Sequence, residues 1–157
     1  VKRGGDETME YKIPQPLKEE HQELHAELVC ATQESGEIGE AARAVAELLH
    51  PHFVKEEEYA LPPLGLLPLL AEGKVTTDME KVFGLTDILK TGLRQMLEEH
   101  KAIVTALNNL SEIAKKENKE EYVRFAKKLI SHAQTEEEVL YPAAILIGEY
   151  LKLKLRK

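Results

Sequence analysis

The chain has 157 residues, of which 43% are hydrophobic and 31% charged, with a formal net charge of −7. That apolar content excludes a disordered polymer, and the acidic balance excludes recognition of nucleic acid through its phosphates. One cysteine, Cys30, excludes an internal disulfide framework. The length suits one domain over residues 1–157, and the abundance of Leu, Ala, Glu and Lys favours helix over strand. In a chain with no Trp, the six histidines at 21, 25, 50, 52, 100 and 132 are the residues to trace.

Residues 1–13 read as a flexible lead-in, and their start lacks the apolar stretch of a signal peptide. Pro14 and Pro16 then open a first helix, with Leu17, Leu24, Leu28 and Ala31 at helical spacing. Ser35-Gly36 breaks the chain. A second helix is expected over about 37–60, kinked at Pro51 and stopped by Pro62-Pro63. Residues 62–75 form an apolar, proline-punctuated connection with room for a short helix. Thr77 and Glu80 read as a capping box for a third helix reaching about residue 109. Its inner face includes Ile88, Leu89, Met96, Ile103 and Leu107. Asn118 is expected to cap a fourth helix over about 119–140.

Pro142 ends or kinks that helix, and 143–157 forms a C-terminal extension helix, apolar and then basic. This last helix packs on the bundle or on a second copy of the chain, which would make a homodimer. No run reaches 18 apolar residues, so no membrane span is expected and a cytoplasmic location follows. The fold class is all-α: an up-down-up-down four-helix bundle with a short C-terminal fifth helix.

Two short patterns occur twice. Glu19-Glu20-His21 matches Glu98-Glu99-His100, and apolar residues follow both in register. His52-x-x-x-Glu56-Glu57-Glu58-x-x-x-Pro62 matches His132-x-x-x-Glu136-Glu137-Glu138-x-x-x-Pro142. The offsets of 79 and 80 residues mean that a helix pair repeats, giving the bundle a pseudo-twofold axis. On a helix, His52 and Glu56 share a face, as do His132 and Glu136, and each face continues an apolar stripe. Four histidines and two glutamates therefore point into one core from four helices. Unpaired carboxylates there are costly, and metal coordination removes the cost. Four imidazoles and two carboxylates suffice for two metals, with both carboxylates bridging and open positions left over. This donor set suits Fe, Mn or Zn, and the open positions favour oxygen-reactive iron.

The pattern resembles the hemerythrin-like, or HHE cation-binding, domain. That family's second helix commonly reads HHxKEExxLFP, against HFVKEEEYALP at residues 52–62. HAQTEEEVLYP at 132–142 fits the family's fourth-helix pattern. The resemblance spans about 17–142 and implies a four-helix bundle around a non-haem di-iron centre. Carried over, the ligands fall on His21, His52, Glu56, His100, His132 and Glu136, with a solvent-derived bridge between the irons. Oxygen-carrying members place two histidines four apart on the third helix, whereas Met96 stands four before His100. His25, one turn after His21, is either a fifth nitrogen ligand or a hydrogen-bonded core residue. Glu57, Glu58, Glu137 and Glu138 read as solvated helix faces, His50 as a surface residue, Tyr59 as packing, and Cys30 as a small buried residue.

The resemblance implies a protein that binds O2 or NO, or senses iron or oxygen, at an open di-iron position. A di-iron peroxidase-like enzyme, or a factor donating iron for cluster repair, is the alternative. The residues leave open whether the protein is an enzyme.

Overall fold

The computed structural model describes residues 11–156, and every regular element among them is helical. Residues 1–10 of the expected lead-in lie outside the described residues. Helix α1 runs Gln15–Thr32, with Pro16 in its first turn and His21, Leu24, Leu28 and Ala31 as its buried track. Helix α2 runs Gly36–Lys55 with Pro51 inside it. Its entry requires φ +73° at Gly36, a left-handed conformation that glycine adopts without a Cβ clash. After α2 come a π-helical turn, Glu56–Ala60, a 3-10 turn, Pro62–Leu66, and the short α3, Leu67–Ala71.

The two expected caps are absent. A 3-10 turn, Thr77–Val82, leads straight into α4, Phe83–Lys116, and neither start carries a side-chain cap. Asn118 takes φ +57°, and the Lys119 N–H donates to the Ala114 carbonyl at 2.9 Å. Asn118 thus closes α4 in a left-handed turn that Asn tolerates, rather than opening α5. Helix α5, Glu120–Thr135, passes through a second π-helical turn, Glu136–Leu140, into α6, Tyr141–Leu155.

Both π turns begin at the motif glutamates and end just before a proline. In a regular helix the Pro142 ring would press on the carbonyl four residues back. Here the Tyr141 N–H donates instead to the Glu136 carbonyl five residues back, and the widened turn carries the chain past Pro142. The Leu61 N–H does the same to the Glu56 carbonyl at 2.9 Å, just before Pro62. The wide turn leaves Val139 exposed, and Ile88, expected on the inner face of its helix, is exposed as well.

Two apolar clusters fill the interior. One joins α1, α2, α4 and α5 through residues such as Leu28, Val45, Leu107 and Phe125. The other joins the segment after the first π turn, the start of α4 and α6 through Leu64, Met79, Leu89, Ile147 and Leu151. Helix α6 is therefore a core element. At Gly148 it approaches α4 so closely that an added Cβ would collide with the Thr86 hydroxyl. Among the described residues no helix is long and apolar enough to cross a membrane.

Candidate metal centre

Between the two apolar clusters lie His21, His52, Glu56, His100, His132 and Glu136, all buried. Their facing atoms form two groups, each with its ligand atoms within 4.8 Å of one another: His52, Glu56, His100 and Glu136, and His21, His132 and Glu136. Glu136 belongs to both, and its two oxygens divide between them. Oε1 stands 3.4 Å from His100 Nε2, and Oε2 stands 3.3 Å from His132 Nε2 and 3.7 Å from His21 Nε2. Glu56 belongs only to the first group, 3.4 Å from His52 Nε2. Glu136 thus reaches both groups and Glu56 one.

The outward nitrogen of each histidine faces a glutamate on a neighbouring helix. His52 Nδ1–H donates to Glu99 at 2.9 Å, His100 Nδ1–H to Glu137 at 2.9 Å, and His132 Nδ1–H to Glu20 at 2.7 Å. His21 Nδ1 faces Glu57 at 3.7 Å, too far for a hydrogen bond. The four pairs close a ring around the bundle and obey the pseudo-twofold repeat. Glu137 is thereby corrected from a solvated face to a histidine partner, and Glu20 and Glu99 join it, while Glu57 stays exposed as expected. The doubled Glu-His pairs at 20–21 and 99–100 carry the sequence signal for this. Such partners fix the tautomer, leaving Nε2 unprotonated and aimed inward as metal ligation requires. Burial opposes ionisation of Glu99, but hydrogen bonds from Lys55 at 2.6 Å, His52 and Gln95 hold it down to about 2.

The arrangement fits cations better than it fits itself. Burial pushes His52 down to about 4 and lowers His100 and His132, so these rings are neutral near pH 7. Burial pushes Glu136 up to about 7, against the opposing influence of His21. His21 Nε2 and His132 Nε2 stand 3.1 Å apart, a spacing two imidazoles take on one ion. Glu56 Oε1 and Glu136 Oε2 face the centre buried and with no hydrogen-bond partner, which is costly unless a cation takes their lone pairs.

His25 is not brought to the other six residues: it is exposed and lies outside both groups. With His50 it lines a cleft of about 240 Å³ that reaches His21 and Glu57, and Phe53 in its wall stacks on the His21 ring at 4.2 Å. Cys30 is exposed rather than buried. The half-buried Tyr59 donates to the Met96 sulfur at 3.5 Å. Sequence reasoning missed Tyr141, whose hydroxyl lies 3.0 Å from Glu56 Oε2, 3.1 Å from His100 Nε2 and 3.3 Å from His52 Nε2.

Residues 91–152 match the family model described as the hemerythrin HHE cation binding domain. The matched segment contains His100, His132, Glu136 and Tyr141, and the expected resemblance holds over it. No curated protein and no solved structure matches the chain.

Proposed function

We propose, for a chain whose residues 91–152 match the hemerythrin HHE cation binding domain, a non-haem di-iron protein that binds O2 or NO, or senses iron or oxygen, at an open di-iron position. One observation carries this reading: two groups of inward ligand atoms share Glu136, and three of the four outward histidine nitrogens donate to a glutamate. His52, Glu56, His100 and Glu136 would hold one iron and His21, His132 and Glu136 the other, with a solvent-derived bridge; Mn and Zn suit the same donors. When bound, the irons supply redox-active positions for a small diatomic ligand. The second group offers three donors to the first group's four, so open coordination falls on the His21–His132 side. The cleft beside His21 leads to that side, and the apolar clusters on both flanks exclude bulk water. The whole chain reads as one domain of this type, with the long helices in up-down-up-down order and α6 as the fifth. An exposed, unpaired thiol at Cys30 suits the reducing cytoplasm.

Metal analysis of the purified protein with an absorption spectrum in air tests the reading. The expected result is about two irons per chain and a visible band that reverses on removing oxygen. A metal content near zero after iron-replete expression overturns it. The oxidisable Tyr141 phenol beside three ligand atoms favours a peroxidase-like enzyme as the second reading; bleaching with peroxide turnover would select it.

The exposed face of α6 supports a homodimer. Leu146, Tyr150 and Leu153 are 64%, 38% and 72% exposed and recur at spacings of four and three. Glu138 precedes this face, and Lys154 and Arg156 follow it. Antiparallel pairing of two copies would set acid against base at both ends. Sedimentation should show a dimer that Leu153→Glu converts to monomer; a monomeric parent protein removes this part of the proposal.

A further inference from the structure

We propose that the Tyr141 phenol oxygen is a fifth protein donor to the ion held by His52, Glu56, His100 and Glu136, making the two ions of the centre chemically different. The inference rests on the di-metal reading above and adds a ligand to it.

Tyr141 is fully buried, and its oxygen lies within 3.3 Å of three atoms that all belong to one ligand group. A phenol has one proton and can donate it to only one of the three. His52 and His100 have their protons on Nδ1, committed to Glu99 and Glu137, so each presents an Nε2 lone pair to Tyr141. With the hydroxyl proton directed to Glu56, the phenol oxygen faces two further acceptors at 3.1 and 3.3 Å. That convergence of four acceptor atoms is unfavourable around empty space and favourable around a cation.

The backbone explains how Tyr141 reaches this place. Five residues along a regular helix, it would point about 140° away from Glu136. The π turn replaces that geometry with an i to i+5 bond from the Tyr141 N–H to the Glu136 carbonyl, which returns the phenol to the ligand face. The counterpart of Tyr141 in the first half of the repeat is Leu61, which has no donor atom. The first group thus reaches five protein donors while the second keeps its three. On ligation the phenol O–H bond breaks, an oxygen–metal bond forms, and the proton leaves to buffer, with no change of oxidation state.

Resonance Raman spectroscopy of the iron-loaded protein in air, excited in its visible band, provides the test, with metal analysis on the same samples. Tyrosinate ring modes are expected in the parent protein and in Tyr59→Phe. They should be lost in Tyr141→Phe, which should retain both irons. Parent protein that contains two irons but shows no tyrosinate modes overturns the inference while leaving the di-iron reading intact; so do modes that persist in Tyr141→Phe. Parent protein without iron overturns both. The parent spectrum decides even if the variant folds poorly.

Discussion

Glu136→Ala is expected to empty both metal positions, whereas Glu56→Ala should leave about one ion per chain. The difference follows from the unequal reach of the two carboxylates. Glu136 sends Oε1 to the His100 side and Oε2 to the His21–His132 side, while Glu56 reaches only the first group. Without Glu136 the second group has two imidazoles and no carboxylate, and the first group loses one of its two carboxylates. Loss of a histidine's outward partner alone typically weakens a site 10–100-fold, so loss of a shared ligand should exceed about 100-fold in affinity for each ion. His25→Ala is the control, because His25 is exposed and outside both groups, and its metal content should equal that of the parent. Metal analysis after dialysis against a weak chelator reads all three variants. Equal losses from Glu56→Ala and Glu136→Ala would restore the symmetric double bridge and sink the division described here.

What was legible in the sequence, and what was not, follows from the range of the forces involved. The buried His/Glu cluster was readable because a helix places residues four apart on one face, and the repeat states that fact twice. The histidine partners Glu20, Glu99 and Glu137 were not readable from their own helices. Each lies next to a ligand in sequence and points toward the neighbouring helix, so only the packing of helices gives it a partner. His25 shares a helical projection with His21, but the buried track of α1 runs 21, 24, 28, 31 and leaves position 25 on its flank. Tyr141 was missed because the π turn adds a residue to the helical repeat, bringing Tyr141 in and turning Val139 out. The two prolines that looked like helix stops mark where these turns end. Asn118 was recognised as a boundary residue and given to the wrong helix, since φ +57° suits the end of α4.

Removing the metal is expected to lower the melting temperature by roughly 10 °C or more and to make stability acid-sensitive. Two buried carboxylate oxygens, Glu56 Oε1 and Glu136 Oε2, lose their only counterpart, each at a cost of about 1–3 kcal/mol. In a chain of this size each kcal/mol is worth about 2–4 °C. The pH dependence has two contributions of opposite sign. His52, pushed down to about 4, and His100 and His132, also lowered, bind protons less readily folded than unfolded. Their contribution is present above the ordinary histidine range near 6.5 and is lost as pH falls toward 4. Glu136, pushed up to about 7, holds a proton when folded that the unfolded chain has released, so its contribution is present below about 4.5 and lost as pH rises through 7. Three histidines outweigh one carboxylate, so the urea midpoint of stripped protein should be lower near pH 5 than near pH 7.5. In the loaded protein the same histidines are held by metal, and protons must first displace it, so the midpoint should stay flat over that interval. A stripped protein at least as stable near pH 5 as near pH 7.5, or one that melts with the loaded form, would mean that the buried histidines and glutamates satisfy one another without a cation.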